Sequence, residues 1–451
     1  MRKRISAFFS VLVAIVLLTV PASAASSGST LKIICADAGQ VIFTPPGSTQ
    51  YAYRYGPAIL IDGDRIDIWA SAPPLVSNGV RYGNDSIEYI RSTDGGKTWT
   101  EWKTVLYPTL NSEDQWSTCD PGAFKYGDYY YVGYTGSPEF RTNPDKEKQV
   151  NNLFIARAKN PEGPYEKWNG NGWGGDPYAI TRYSGDGVGC SMPSFTVKGD
   201  TLYMYYVDQT HPDQDWNSEG NISVSTFSLK DPNWPGNELS NKMCENKPEE
   251  VRYCPDIDKF IGFQLKGGWD YDSYVEIYES TDGVNFTKTS SFRNNFPHYA
   301  HNIGISGNNL GQLDLSIQNY IGTAYTPTGV EAWWGHWHTQ LIPLYIREER
   351  PSSTTSSQPS GSTDSSSRKP TTSSVGSTDG ESSETEVSEP QNSNIESTVS
   401  DDKDKDKEVN NKTEQQEETS YLWLYIVIGA VVVLAGAGTA VYFLVIKKKH
   451  V

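Results

Sequence analysis

The chain has 451 residues and a formal net charge of −17. An acidic chain predicts neither nucleic acid nor anionic lipid as a partner, because both attract cationic surfaces. Five cysteines, Cys35, Cys119, Cys190, Cys244 and Cys254, show no zinc-site spacing. Cys244 and Cys254 are close enough in sequence to predict a short disulfide loop, with pairing left open for the others.

Residues 1–24 have the pattern of a secretory signal peptide. Arg2, Lys3 and Arg4 precede a long apolar run, and the sequence "PASA" ends the segment with small residues. This order of basic, apolar and small residues predicts cleavage after Ala24 and export of the rest of the chain.

One phrase recurs through the next segment, residues 25–349. It occurs as "GPAILIDGDRIDIWASAP" from Gly56, "DPGAFKYGDYYYVGYTGS" from Asp120 and "MPSFTVKGDTLYMYYVDQT" from Met192, with weaker copies from Cys254 and His301. Each copy has a Pro-bearing start, a strand, a Gly-Asp turn and a second strand, which is typical of a β-hairpin. Five such copies predict an all-β, five-bladed β-propeller, with a two-sheet sandwich as the alternative.

A second motif occurs twice, as "RSTDGGKTWTEW" around Asp94 and "ESTDGVNFTKT" around Asp282. A catalytic centre is built once, whereas a turn can recur, and Asp and Gly both favour tight turns. The pattern resembles the Asp-box of sialidases and related propellers. The resemblance implies a structural hairpin between outer strands, away from any active site.

The residues before each recurring phrase predict a ligand site, because the innermost strands of a propeller begin around its central channel. This reasoning selects Arg54, Asp120, Asp256 and His301. Trp69 and Trp116 are the predicted aromatic contacts, since sugars present apolar faces to aromatic rings. An oligo- or polysaccharide is therefore the expected ligand.

The phrases "DPGAFKYGDYYYVGYT" and "SFTVKGDTLYMYYV" also resemble five-bladed glycoside hydrolases of the arabinanase and β-xylosidase (family 43) type. That resemblance implies cleavage of a glycosidic bond by a carboxylate pair, with a third carboxylate tuning the acid. Only Asp120 matches the expected carboxylates. Gly56 stands at the first position and Met192 or Ser191 at the third.

Other acidic residues could supply the missing carboxylate. Asp208 is the favoured replacement, with Glu139 and Asp186 as alternatives. In some members of the resembled family a fifth-blade histidine helps to hold a calcium ion; here a structural His301 is the favoured interpretation, with a calcium ion near it as the alternative. The pair His336 and His338 lacks a third ligand for zinc. No other cofactor is expected.

Residues 350–420 are rich in Ser, Thr and charged residues and predict a disordered stalk, since they cannot form a core. The uncharged run at 421–446 has the length of one transmembrane helix, followed by lysines in the tail, 447–451. The sequence thus predicts a cell-membrane protein with its body outside the cell.

Three functions stay open at this point. The first is a cell-surface glycoside hydrolase, and the second is a glycan-binding or adhesion propeller without the full catalytic set. The third, a sialidase-like enzyme, requires three arginines around a carboxylate, whereas only Arg54 and Arg252 lie near the predicted site.

Overall fold

The computed structural model describes residues 28–46, 52–138, 150–182, 188–210, 220–327 and 337–350. The chain divides into two units, residues 1–358 and 359–451, and every described residue lies in the first. Within these ranges no helix is long and apolar enough to cross a bilayer. The predicted signal peptide, the stalk beyond residue 350 and the predicted membrane helix at 421–446 lie outside the described residues.

The described part is all-β. Its strands are, in chain order, β1 (Thr30–Cys35), β2 (Gln40–Phe43), β3 (Tyr55–Asp62), β4 (Arg65–Ala72), β5 (Leu75–Ser77), β6 (Val80–Tyr82), β7 (Ser86–Ser92), β8 (Lys103–Leu106), β9 (Ser117–Tyr126), β10 (Tyr129–Ser137), β11 (Asn152–Ala158), β12 (Glu166–Lys167), β13 (Gly189–Lys198), β14 (Thr201–Gln209), β15 (Asn221–Ser228), β16 (Glu238–Met243), β17 (Glu250–Cys254), β18 (Lys259–Lys266), β19 (Tyr274–Ser280), β20 (Thr287–Phe292), β21 (Ala300–Gly307), β22 (Asn319–Tyr325) and β23 (His338–Glu349).

These strands form five antiparallel meanders, which we call blades I to V. Blade I is β3-β4-β7-β8, blade II β9 to β12, blade III β13 to β16 and blade IV β17 to β20. Blade V is β21-β22-β23-β1, so the first strand of the body completes the last blade. β2 also pairs with β23, while β5 and β6 form a separate hairpin.

The blades close into a ring through hydrogen bonds between neighbours. The five contacts are Asp120 N to Ser71 Oγ at 2.7 Å (I–II), Met192 N to Thr135 Oγ1 at 2.9 Å (II–III), Ser194 Oγ to Glu250 Oε2 at 3.2 Å (III–IV), Arg252 Nη2 to Ile305 O at 2.6 Å (IV–V), and the parallel pairs Ser306–Ile59 and Gly307–Leu60 (V–I). Five blades joined in this cyclic order form a propeller, as the sequence predicted.

The hydrophobic core is divided among the interfaces between blades. Separate clusters of buried side chains fill interfaces I–II, II–III, III–IV, IV–V and V–I, represented by Trp69, Phe195, Phe260, Ile277 and Ile68. Alternation along each strand sends side chains to both faces of the blade, and both faces are covered by a neighbour. Each blade is therefore buried on both sides.

The predicted disulfide is wrong. All five cysteines are free and buried. Cys244 packs between blades III and IV, whereas Cys254 packs between blades IV and V, so the two thiols lie in different core clusters. Burial raises the pKa of both thiols to about 12, which keeps them protonated and unreactive.

The two Asp-box motifs have the structural role that the sequence predicted. They connect β7 to β8 and β19 to β20, the third and fourth strands of blades I and IV. Asp94 Oδ1 accepts hydrogen bonds from the backbone amides of Lys97 and Thr98, at 3.0 and 2.9 Å. Asp282 Oδ1 accepts hydrogen bonds from the amides of Val284 and Asn285 in the same way. The Thr98 hydroxyl and the amides lower the pKa of Asp94, and the amides lower the pKa of Asp282 although its partial burial acts in the opposite direction.

We expect Asp282→Ala to lower the stability of the fold without changing ligand binding. The variant leaves the amides of Val284 and Asn285 without their acceptor, a loss comparable to that of a helix cap, about 1 kcal/mol. Thermal unfolding would measure the change. Asp64→Ala is the control, because Asp64 is an exposed turn aspartate with no side-chain hydrogen bond in the described part. Equal melting temperatures for the two variants would contradict the structural role.

Candidate functional site

Four of the five inner strands carry the same local distortion near their start. Gly56, Asp120, Met192 and Asn302 all have left-handed backbone, with φ between 48° and 58°. At each of these positions the register with the second strand of the blade shifts, which marks a β-bulge. In blade IV, by contrast, β17 pairs with β18 in regular register.

The bulges bring three of these positions together at one end of the central channel, which we call the mouth. A Cβ atom on Gly56 would lie 3.6 Å from Asp120 Oδ1 and 3.5 Å from Asn302 Nδ2. Asn302 Nδ2 also donates directly to Asp120 Oδ1 at 3.2 Å. A β-bulge turns a side chain away from the regular alternation of the strand. The bulged residues at the start of three inner strands therefore meet at the mouth.

Asp120 is partly buried at the mouth, and hydrogen bonds hold both its amide and its carboxylate in place. Its amide donates to Ser71, its Oδ2 accepts from the Cys119 thiol at 3.4 Å, and its carboxylate also accepts from Thr135. Burial, with a smaller contribution from the charge of Asp85, raises the pKa of Asp120 to about 6. The carboxyl can therefore exchange a proton near neutral pH.

Asp85 is a second buried carboxylate beside this group, and sequence reasoning missed it because it directly precedes an ordinary strand, β7. Tyr53 donates to its Oδ1 at 2.5 Å, and Ser117 and Asn84 donate to its Oδ2 at 3.0 and 3.1 Å. Burial raises the pKa of Asp85. Asp85 is 4% exposed and both of its oxygens accept hydrogen bonds from protein groups, so it positions its neighbours and does not face the mouth.

Aromatic rings form the wall of the mouth next to Asp120. Tyr55 is buried, which raises the pKa of its hydroxyl. The nearby negative charges of Asp85 and Asp120 raise it further. The His301 ring lies 5.4 Å from Tyr55, 4.2 Å from Trp337 and 4.3 Å from Trp269. Burial lowers the pKa of His301 to about 3, so its imidazole is neutral.

Trp269 is the exposed member of this wall, and the sequence did not single it out. It lies between β18 and β19 in left-handed backbone, φ 70°, and its amide donates to Ala300 O at 2.9 Å. The side chain is 37% exposed, whereas Trp337 beneath it is fully buried. An exposed indole backed by other rings is the surface that a sugar ring needs for stacking.

The two tryptophans predicted as sugar contacts have different positions. Trp69 is fully buried between blades I and II, and its Nε1 donates to Pro161 O at 3.1 Å and to Tyr165 at 2.9 Å, so its predicted position at the rim is wrong. Trp116 is half-buried and precedes β9 at the mouth end, so its role as a contact stays a prediction.

Arg54 and Asp256 do not lie where the sequence predicted. Arg54 forms a 2.5 Å ion pair with Glu88 and stacks on Phe43, away from the channel. Asp256 is exposed in the β17–β18 turn, at the end of β17 opposite to its start. The inner strand of blade IV, β17, starts at Glu250, so the recurring phrase from Cys254 coincides with the end of this strand and not with its start.

Arg252 lies inside the channel, where it pairs with Glu250 at 2.8 Å and donates to Ile305 O. Arg252 is 5% exposed, and among the described residues it makes no contact with Arg54. The arginine group that a sialidase-like site would need is thus not formed by these two residues.

Asp208 faces the hydroxyls of its own blade. Its Oδ1 accepts from Thr210 at 2.8 Å and its Oδ2 from Ser223 at 3.0 Å. On β14 it pairs with Cys190, two residues before the bulge at Met192. Its catalytic role stays a prediction. The alternatives Glu139 and Asp186 lie outside the described residues.

The surroundings of His301 do not fit a calcium ion. Calcium prefers oxygen ligands, whereas the groups packed on this imidazole are aromatic rings. In the described ranges, no group of three or more His, Cys, Asp or Glu side chains could hold a metal ion. His338 lies 3.4 Å from Thr44 Oγ1, and His336 is outside the described residues.

We expect Asp120→Asn to stabilise the fold at neutral pH. The pKa of Asp120 is about 6, above the value near 4 of an unfolded Asp. Such a carboxyl favours folding below pH 4, and this contribution is lost as pH rises to 6. The variant should match the wild type at pH 4 and exceed it by about 2 kcal/mol at pH 7. Urea unfolding of the wild type and the variant at pH 4 and pH 7 measures the two free energies of unfolding. The same difference between the proteins at both pH values would contradict the raised pKa of Asp120.

Several solved glycoside hydrolases are similar to this chain. An α-L-arabinofuranosidase from Podospora anserina, solved with cellotriose, is 11% identical, covers 71% of this chain and 98% of its own, and has a TM-score of 0.46. A family 117 glycoside hydrolase from Zobellia galactanivorans is 15% identical, with coverages of 71% and 91% and a TM-score of 0.45. A GH43_1 enzyme from Xanthomonas citri, solved with xylotriose, is 12% identical, with coverages of 67% and 90% and a TM-score of 0.46.

No protein-family model and no curated protein sequence matches the chain. The order of the strands and the contacts that close the ring establish the propeller architecture.

Proposed function

We propose that this chain is a cell-surface propeller of the glycoside hydrolase type that binds a neutral oligosaccharide at the mouth of its channel. The predicted signal peptide at 1–24 and the apolar run at 421–446 support a place on the outer side of a cell membrane. The acidic composition supports an uncharged ligand rather than a polyanion at the mouth.

The observation that carries the proposal is the pairing of a polar centre with an exposed ring. Asp120 and Asn302 form a hydrogen-bonded pair at the mouth, and the indole of Trp269 stands over His301 beside them. Sugars combine flat apolar faces with hydroxyl groups. In the proposed complex a sugar ring stacks on Trp269 while its hydroxyls bind Asp120 and Asn302.

Binding without cleavage is the form of this function that the site favours. Hydrolysis needs two carboxylates on either side of the glycosidic bond. At the bulges equivalent to Asp120, blade I has Gly56 and blade III has Met192, neither of which can donate or accept a proton. Asp85, the carboxylate next to Asp120, is only 4% exposed and accepts three hydrogen bonds from protein groups, whereas Asp120 is partly exposed at the mouth.

A glycosidase is the second candidate, and the raised pKa of Asp120 favours it. A carboxyl with a pKa of about 6 can act as a general acid or base near neutral pH. In this case Asp120 would transfer the proton, and a second carboxylate would have to face the sugar from another blade.

The experiment is to incubate the full chain with a panel of neutral oligosaccharides and to measure binding and product release together. We expect binding without release, and at least about tenfold weaker binding by Asp120→Asn. Release that is lost in Asp120→Asn would establish the glycosidase instead. An absence of both binding and release would contradict a glycan site at the mouth.

A further inference from the structure

A second pocket lies on the face of the propeller opposite the mouth, between blades I and II. Its volume is about 300 Å³. The start of β4, the end of β7, the β9–β10 hairpin and the segment after β11 contribute its lining, which includes Arg65, Arg91, Lys125 and Lys159. None of these residues belongs to the mouth site.

The charge of this pocket is opposite to that of the chain. Four cationic side chains line it against two acidic ones, Asp128 and Glu162, in a chain with a net charge of −17. Like charges gathered in one concave space repel one another, and a concave basic surface attracts anions. The local excess of positive charge therefore predicts an anionic occupant.

Packing holds three of the four cations in place. Arg65 Nε pairs with Asp67 at 2.8 Å, and its guanidinium lies 5.9 Å from the Tyr130 ring. The Lys125 ammonium lies 5.0 Å from the same ring. Arg91 is half-buried, and its charge, like that of Arg65, acts on the Asp67 carboxylate. Cations fixed in this way lose little side-chain entropy when an anion binds.

Two buried guanidinium atoms in this group have unused hydrogen-bonding capacity. Arg65 Nη2 and Arg91 Nε are both shielded from solvent and have no hydrogen-bond partner in the described part of the chain. Buried polar groups normally have a partner, and the cost of leaving a charged donor without one is high. Both arginines line the pocket, so the partners of their guanidinium groups within the protein leave hydrogen-bonding capacity on this side of the blade interface.

We propose that this pocket is a binding site for an oxyanion, a carboxylate, sulfate or phosphate group, carried by an acidic glycan or free in solution. The planar guanidinium groups of Arg65 and Arg91 match the paired oxygens of such a group, and Lys125 and Lys159 add point charges. The propeller thus has two ligand sites of different chemistry, a neutral sugar site at the mouth and an anion site on the opposite face.

The test is calorimetric titration of the full chain with trigalacturonate, inorganic sulfate and inorganic phosphate at constant ionic strength. Arg91→Gln removes one unpaired guanidinium without breaking a side-chain hydrogen bond in the described part. Lys97→Gln is the matched control, since Lys97 is an exposed cation on the β7–β8 hairpin outside the pocket. Melting temperatures verify that both variants fold. If the Arg91→Gln protein does not fold, Lys125→Gln is used in its place.

We expect at least one of the three anions to bind with a Kd below about 10 mM. Arg91→Gln should weaken that binding at least about tenfold, and Lys97→Gln less than about twofold. Tighter binding of trigalacturonate than of the inorganic ions identifies a glycan-borne group, whereas equal binding identifies a free ion. The proposal is overturned if none of the anions binds, or if the two variants bind equally well. Trp269→Ala should leave anion binding unchanged, which separates this site from the mouth.

Discussion

Gly304→Ala is expected to destabilise the propeller severely. A Cβ atom at this position would overlap the carbonyl oxygen of Pro57, and because the obstacle is backbone, no side-chain rotation can relieve it. Gly304 lies on β21 and Pro57 on β3, the two inner strands whose parallel pairs join blade V to blade I. Overpacking at this point would separate the strands that close the ring, at a cost of about 3 kcal/mol or more.

Gly172→Ala is the control for this substitution. Nothing lies within 4 Å of a Cβ at Gly172, and its backbone is not left-handed. We expect a change in its free energy of unfolding within about 0.5 kcal/mol of zero. Urea unfolding of both variants measures the difference, and a Gly304→Ala protein as stable as the control would contradict the close approach of the two strands.

Trp269→Ala is expected to abolish most of the glycan affinity. Loss of a central aromatic contact typically costs about 2 kcal/mol, or roughly a 30-fold rise in Kd. The fold should be little affected, since the side chain is 37% exposed. Titration of the best-binding oligosaccharide from the panel measures the change.

Tyr345→Ala provides the comparison for Trp269→Ala. Tyr345 is 48% exposed and lies toward the far end of β23, whose first residue, His338, pairs at the mouth end. Removing this aromatic ring should leave the Kd unchanged. A similar loss of affinity in both variants would mean that the effect is not local to the mouth.

The sequence predicted the architecture well because the recurring phrase has a local physical cause. The sequences around Gly56, Asp120 and Met192 place a proline directly after the left-handed residue and a turn at a fixed distance, so three inner strands could be located from their residues alone. The fourth copy failed because Pro255 lies in a turn and not at a strand start. A proline marks either position, and only the strand pairing distinguishes them.

The site was harder to predict because it depends on contacts between blades. Trp69 and Trp269 are chemically identical, yet one is buried by blade II and the other is exposed at the mouth. Asp85 lies near Asp120 only because β7 and β9 come together at the mouth end of their blades. Residues distant in sequence decide both outcomes, and no local pattern records them.

A crystal structure of the full chain with the best-binding neutral oligosaccharide tests the central claim most directly. The account predicts a sugar ring stacked on the Trp269 indole, with a hydroxyl within about 3 Å of the Asp120 carboxylate. A sugar bound on another surface, with the mouth free of ligand, would contradict it.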